Sequence, residues 1–148
     1  GDIILVEETL IYDIVESVGD PQAAIDHYTT HLDLSWLSPP PYPLHVRRGR
    51  LVSADRDIQP GEIENLQQRF SAVAADWESG AIAWVAQRNQ TPCLILRGVS
   101  DLVDKDGGEA YQDPAVFQEG VQQVIQTLLA SLPNWLACTD IGFMECSA

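Results

Sequence analysis

Short apolar, β-branched runs alternate along this chain with longer segments whose apolar residues recur at helical spacing, the pattern of an α/β domain. After Gly1-Asp2, Ile3-Ile4-Leu5-Val6 reads as a buried strand. The segment from Asp20 to Leu34 has Pro21 near its start and room for a short helix. Ser38-Pro39-Pro40-Pro41-Tyr42-Pro43 excludes regular structure, because its four prolines lack amide donors and hold their predecessors extended. It reads as an ordered surface loop and not a linker, since the flanking pieces are too small to fold alone. His45 to Ser53 reads as a strand ending in the polar turn Ala54-Asp55-Arg56-Asp57. Pro60 opens a helix to about Phe70, with Glu62 and Glu64 well placed against the helix dipole.

Ala72 to Asp76 is the next strand, and Trp77 to Asn89 the next helix, with Ile82, Val85 and Ala86 along one face. Gly80 and Ala81 are small enough to let that helix approach a sheet closely. Thr91-Pro92 breaks the chain, and Cys93-Leu94-Ile95-Leu96 suits a central parallel strand covered on both faces. Gly98 to Asp113 is polar and irregular. Pro114 to Leu132 carries Phe117, Val121, Val124, Ile125, Leu128 and Leu132 at helical spacing, and Pro133 is expected to stop this helix. The segment 138–148 has no period and is expected to fray as an irregular tail to a single domain spanning 1–137. The fold class expected is α/β, a three-layer α/β/α sandwich around a mixed, mostly parallel sheet.

A chain of 148 residues with 45% hydrophobic and 20% charged positions has the size of one domain and enough apolar surface for a core. Its net charge of −14 arises from 22 acidic against 8 basic residues, and Lys105 is the sole lysine. Nucleic-acid binding needs clustered cations, so this balance argues against nucleic acid and against an anionic membrane surface as partners. No apolar stretch approaches the roughly 20 residues that span a bilayer. Cys93, Cys138 and Cys146 form no CxxC pair and read as reduced thiols, which, with no charged-then-apolar leader, implies a cytoplasmic setting. The only methionine is Met144, so the expectation is a processed chain or a piece of something longer.

The most informative chemistry is Asp76-Trp77-Glu78 at a strand-to-helix junction and Ser100-Asp101 just past the following strand. In a parallel sheet both acidic groups emerge at carboxyl ends of strands, the edge where open α/β sheets bind ligands. Unequal burial then permits one carboxyl to serve as an acid and another as an anion. The plainer alternative is that acidic residues at strand ends cap helices. His27 and His31, four apart, would share one face of a helix, but Tyr28 stands where HExxH needs its Glu and no third ligand is evident. Asp104-Lys105-Asp106-Gly107 lacks a first calcium ligand at Leu102, and Asp113 stands where a closing Glu belongs. Neither a metal nor a cofactor is expected. Ser100 has no histidine near it in sequence and reads as a hydrogen-bonding partner, not a nucleophile, while Trp36, Trp84 and Trp135 read as core or interface anchors.

Ala75-Asp76-Trp77-Glu78-Ser79-Gly80-Ala81-Ile82-Ala83 resembles the acidic–bulky–Glu–small–small–Ala–Ile–Ala stretch of the 5′-methylthioadenosine/S-adenosylhomocysteine nucleosidases, within the purine nucleoside phosphorylase superfamily. Leu94-Ile95-Leu96-Arg97-Gly98-Val99-Ser100-Asp101 is similar to the strand and Ser-Asp motif that follows there. Gly1-Asp2-Ile3-Ile4 resembles the family's Gly-Asp-Ile-Val strand start, and Arg48 to Asp55 resembles the strand leading to its base-binding turn. The motifs occur in family order between Gly1 and Leu136.

This resemblance implies an acid-assisted hydrolase of purine nucleosides, active in purine and methionine salvage, more in keeping with a nucleosidase than a phosphorylase. Asp101 would protonate the departing purine, and Ser100 would orient its carboxyl. Glu78 would hold the ribose hydroxyls, Trp77 would pack on the sugar, Asp76 would join the substrate-binding set, and Ile58 would offer its backbone to the base. The family presents an aromatic side chain where this chain has Asp57. Its N-terminal portion, which carries the water-activating carboxylate, is expected to have no counterpart here. A sheet without those strands would expose apolar surface, consistent with the family's homodimers. The alternative expectation is a non-catalytic nucleoside-binding or storage-like member, or an inactive truncated domain.

Overall fold

In the computed structural model, which describes residues 1–14, 16–111 and 113–140, the sheet is organised around β1 (Ile3–Ile11). Along one edge β1 runs parallel to β3 (Val46–Ser53), which in turn runs parallel to β4 (Ala72–Asp76). Two short strands share its other edge, both antiparallel: β5 (Leu96–Gly98) beside Ile3 to Leu5, and β2 (Thr30–His31) beside Glu8 and Thr9. A separate hairpin joins β6 (Val103–Asp104) to β7 (Gly107–Gly108). The helices are α1 (Pro21–His27), α2 (Ile63–Phe70), α3 (Ser79–Arg88) and α4 (Pro114–Ala137), and a single 3-10 turn over Pro60–Glu62 leads into α2.

β1 is longer than its apolar start suggested, because charged partners let it run through two glutamates. Arg48 pairs with Glu7, while Arg50 and His31 both pair with the buried Glu8. The register against β3 shifts between Val6 and Glu8, so one extra residue of β1 is accommodated there. Side chains alternate along a strand, and an extra residue therefore exchanges the faces beyond it. Ile4 and Val6 pack with Leu51 and with Ala83 of α3 on one face. On the other, Leu5 packs with Leu37 and with Trp135 of α4, and beyond the shift Leu10 and Val52 pack with Ile25 of α1 and with Leu66 and Phe70 of α2. One helix against three across a mixed, mostly parallel sheet makes the three-layer α/β/α sandwich.

Several local expectations are corrected. The run from Cys93 to Leu96 is not a central parallel strand; only Leu96 lies in β5, which is antiparallel to β1. Its apolarity is nonetheless used on both sides, since Cys93 and Ile95 join the α3-side core and Leu94 and Leu96 join the core around Trp135. An apolar run records coverage of both faces but carries no strand direction. The inward face of α3 is Ser79, Gly80 and Ala83, and Ile82 and Val85 are exposed. Gly80 does make the expected close approach, because a Cβ there would lie 2.8 Å from Ile11 Cγ1 and 3.1 Å from Ser53 Cβ. Ala81 points outward.

Pro133 does not stop α4, which continues to Ala137. The missing amide removes one intrahelical bond, but the next turn is anchored by Trp135, fully buried and stacked on Tyr42 at 5.5 Å between ring centroids. Phe117, Ile125 and Leu132 of α4, three of the apolar residues at helical spacing, are exposed along with Leu129 and Leu136. The start of the expected tail is held and not frayed: Ser38 donates to the Cys138 carbonyl, Asp140 donates to that of Trp36, and Thr139 bridges to Leu37. Residues 141–148, with Met144 and Cys146, lie outside the described residues. No described helix is long and apolar enough to cross a membrane.

Leu51 has no exposed surface, whereas Val85 is 52% exposed. Leu51→Ala is expected to destabilise the fold by about 2–5 kcal/mol, and Val85→Ala by under about 0.5 kcal/mol. Denaturant midpoints measure both, and a comparable loss at Val85 would contradict the inward face assigned to α3.

Candidate functional site

Asp76 is the last residue of β4, in register with Ser53 of β3. Its carboxylate accepts from Ser53 Oγ at 2.7 Å, from the Ser79 amide at 3.1 Å and from Ser79 Oγ. Ser53 Oγ also accepts from the Gly80 amide at 2.8 Å. These bonds satisfy amides at the start of α3 that have no intrahelical partner, so the junction is capped by side chains of two neighbouring strands. The capping alternative read from the sequence thus describes Asp76 well. With its side chain only 14% exposed, Asp76 is turned into the protein, whereas the Glu78 side chain is 61% exposed and Trp77 is 54% exposed. Glu78 and Trp77 are therefore the outward-facing members of this stretch.

Arg97 is a member of this corner that sequence reasoning missed. Its Nε lies 2.8 Å from Asp76 Oδ2 and donates to Ser79 Oγ at 2.9 Å, while Nη2 reaches Glu78 Oε2 at 3.4 Å. One guanidinium thus ties β5 to the β4–α3 junction, a geometry suited to its fork of donors. The signal was present: an arginine closing an apolar run must find an acidic partner if it is to be half-buried.

Both carboxylates were expected to reach one edge on parallel strands. The antiparallel β5 overturns that reasoning, and the two segments meet instead through the Arg97 side chain. Three residues beyond Arg97, Ser100 Oγ donates to Asp101 Oδ1 at 2.6 Å. Tyr111 then links this region to the turn after β3, donating its hydroxyl to the Ile58 carbonyl at 2.7 Å. Burial raises the Tyr111 phenol above its ordinary value, and the nearby carboxylates of Asp57 and Asp101 raise it further. Ile58, Tyr111, Asp57 and Asp101 therefore belong to one neighbourhood.

The turn itself is braced by Arg56, which makes a two-pronged contact with Glu62 at 2.8 and 2.6 Å. That hydrogen bond holds the Glu62 carboxyl below the usual range and the Arg56 guanidinium above its own. Because a depressed carboxyl pKa stabilises the fold above the unfolded value, this brace weakens as acid titrates Glu62. Tyr12 lies beneath the Arg56 guanidinium, 5.5 Å from its ring centroid.

The two histidines do not share a helical face, since α1 ends at His27 and His31 belongs to β2. His27 lies against Tyr28 and Trp84, and His31 pairs with Glu8. Asp104 to Gly107 form the turn of the β6–β7 hairpin, with Lys105 paired to Asp106. Among the described residues no group of three or more His, Cys, Asp or Glu is arranged to hold a metal. A cavity of about 610 Å³ lies at the amino ends of β1 and β3, lined by Asp2, His45, Arg47 and Thr127, and includes none of the residues above.

A family model described as the Phosphorylase superfamily matches residues 1–133. The chain is 28% identical over 123 residues to a 5′-methylthioadenosine/S-adenosylhomocysteine nucleosidase of Buchnera aphidicola subsp. Acyrthosiphon pisum, a match covering 76% of this chain and 53% of the relative. It is 30% identical over 69 residues to an aminodeoxyfutalosine nucleosidase of Helicobacter pylori, covering 46% of this chain and 30% of the relative. The chain thus spans about half the length, or less, of the relatives it matches. Its fold is similar to a Helicobacter pylori 5′-methylthioadenosine/S-adenosylhomocysteine nucleosidase bound to butyl-thio-DADMe-Immucillin-A, with a TM-score of 0.71 and 20% identity over 92% of this chain and 60% of that one.

Removing Arg97 leaves the mostly buried Asp76 without its counter-charge. Arg97→Met is expected to destabilise the fold by about 1–3 kcal/mol, and adding Asp76→Asn should recover part of that loss. A double-mutant cycle in urea measures the coupling, and strict additivity would show that the pair is not coupled.

Proposed function

The chain belongs to the phosphorylase superfamily, and we propose that it forms the base-protonating and sugar-holding side of a purine nucleosidase site. The reaction is hydrolysis of the N-glycosidic bond of a 5′-methylthioadenosine- or S-adenosylhomocysteine-like nucleoside. The observation that carries this reading is the Arg97 bridge, which draws the strand leading to Asp101 against the junction that carries Glu78. The nucleosidase names of the relatives give the same direction.

In the proposed step the bond between C1′ and the purine nitrogen breaks, the bonding pair leaves with the base, and water oxygen bonds to C1′ while releasing one proton to solvent, which balances the proton that Asp101 gives up. Asp101, oriented by Ser100 Oγ, delivers its proton to the imidazole ring of the departing purine. Protonation turns a poor anionic leaving group into a neutral one, and such general acid help is typically worth about 10²–10⁴ in rate. Glu78 takes the ribose hydroxyls and sets negative charge beside the oxocarbenium-like sugar, a form of electrostatic stabilisation. The exposed Trp77 ring covers the sugar, and Ile58 meets the base through its backbone. Asp76 is assigned to holding the junction, given the four protein donors around it. Water activation is assigned to none of these residues.

Two further expectations belong to this reading. A homodimer would cover the stripe of Ile125, Leu129, Leu132 and Leu136, four exposed apolar residues on one face of α4. Sedimentation at micromolar concentration should show association, and a clean monomer would remove the dimer from the proposal. A cytoplasmic setting suits the free thiols of Cys93 and Cys138.

The deciding experiment measures adenine release from 5′-methylthioadenosine by this chain, with and without phosphate. Phosphate-independent release, lowered about 10²–10⁴-fold by Asp101→Asn, is the expected outcome. Adenine binding without release would favour a non-catalytic nucleoside-binding protein, a reading supported by Asp57 standing where the resembled family has an aromatic residue. Release unaffected by Asp101→Asn would overturn the assignment of the acid.

A further inference from the structure

Tyr111 joins the hairpin that follows Asp101 to the turn after β3. Its hydroxyl donates to the Ile58 carbonyl across 53 residues of sequence, at 2.7 Å. Its amide donates to the Gly108 carbonyl, and its ring lies on Gly108 so closely that a Cβ there would fall 2.5 Å from both Cδ1 and Cε1. Gly108 is paired with Val103 in the β6–β7 hairpin. The hairpin is closed at its base by the Glu109 amide donating to the Leu102 carbonyl and by the Leu102 amide donating to Glu109 Oε2 at 3.1 Å. Leu102 directly follows Asp101. One unbroken set of contacts therefore runs from the acid, through the hairpin and the Tyr111 ring, to the backbone of the turn after β3.

We propose that Tyr111 is a positioning residue that latches the base-side turn at Ile58 to the acid-bearing segment at Asp101, and so fixes the width of the slot that receives the purine base. This rests on the nucleosidase reading above. The turn needs such a brace because Asp57 gives the base no aromatic surface there, so base placement depends on where the backbone is held. The latch requires a protonated phenol, and burial with the neighbouring carboxylates of Asp57 and Asp101 keeps it protonated. On the turn side, the brace between Arg56 and Glu62 carries the constraint onward to the start of α2. The hydroxyl of Tyr111 relates the two segments.

Tyr111→Phe keeps the ring on Gly108 and removes only the latch. Two readouts on the full chain decide the matter. In amide exchange without ligand, Glu62, whose amide donates to Gln59, and Glu109, whose amide donates to Leu102, lie on opposite sides of the latch. Both should exchange about five- to tenfold faster in Tyr111→Phe, the loss expected for one hydrogen bond, while Leu51 in the core stays unchanged. In calorimetry with free adenine, the dissociation constant should rise about tenfold. Unchanged exchange at both amides, or faster exchange at one side alone, would overturn the latch, and so would equal adenine affinity in the two proteins. Adenine that fails to bind the unaltered chain would overturn the purine reading itself, and the exchange result would still judge the mechanical coupling separately.

Discussion

The extra residue in β1 between Val6 and Glu8 decides what every later position on that strand faces. Before it, Ile4 and Val6 look toward α3 and Leu5 looks toward α4. Beyond it, Leu10 joins the side of α1 and α2, and Ile11 comes to lie against Gly80 at the start of α3. A strand kept in strict alternation would present Leu10 to α3 and Ile11 to the opposite layer. The close seat of α3 on Ile11 follows from that irregularity, and a second one, where Val73 is the extra residue of β4 between the Arg50 and Leu51 pairings, sets Asp76 opposite Ser53.

On this frame the polar chemistry is settled by one carboxylate. Asp76 collects two hydroxyls, an amide and a guanidinium from three parts of the local structure: the hydroxyl of Ser53 from β3, the hydroxyl and amide of Ser79 from α3, and the guanidinium of Arg97 from β5. Burying a carboxylate is costly unless its acceptors are filled, and here they are filled by groups that themselves need partners. The Ser79 amide is one of the unpaired donors at a helix start, and Ser53 Oγ passes its own acceptor capacity to the Gly80 amide. The network is thus reciprocal, and it joins β3, β4, α3 and β5 at one corner.

Much of this was legible in the sequence because local chemistry carries it. The strand from His45 to Ser53, the proline-led start of α2, the strand from Ala72 to Asp76 and the motif around Glu78 all depend on short-range pattern and turn residues. What was not legible depends on long-range geometry. The run at Cys93 to Leu96 recorded burial on both faces but not the antiparallel direction of β5. The apolar positions of α3 and α4 marked helices without marking which apolar side meets the sheet, and Ile82, Val85, Ile125 and Leu132, read as parts of apolar helix faces, stand outward. Arg97 and Tyr111 escaped because their partners lie 21 and 53 residues away respectively, and no local period records such a pairing.

Two carboxylates two residues apart end up with opposite duties, and the reason is geometric. Asp76 is still in the strand, in register with Ser53, so its side chain falls on the face that α3 covers. Glu78 precedes the first turn of α3, beyond the strand's alternation, where its side chain stays mostly exposed and touches Arg97 only at 3.4 Å. Arg97 therefore makes its shorter contact with the buried acid and its longer one with the exposed acid. Exchanging the two would place an unpaired carboxylate in the interior and a fully bonded one at the surface, losing both the corner and the site. The same division sets Asp101 apart, for its hydrogen bond comes from the adjacent Ser100 hydroxyl and not from a cation. Ser100 brings that carboxyl only a hydroxyl dipole, where Arg97 brings Asp76 a full charge.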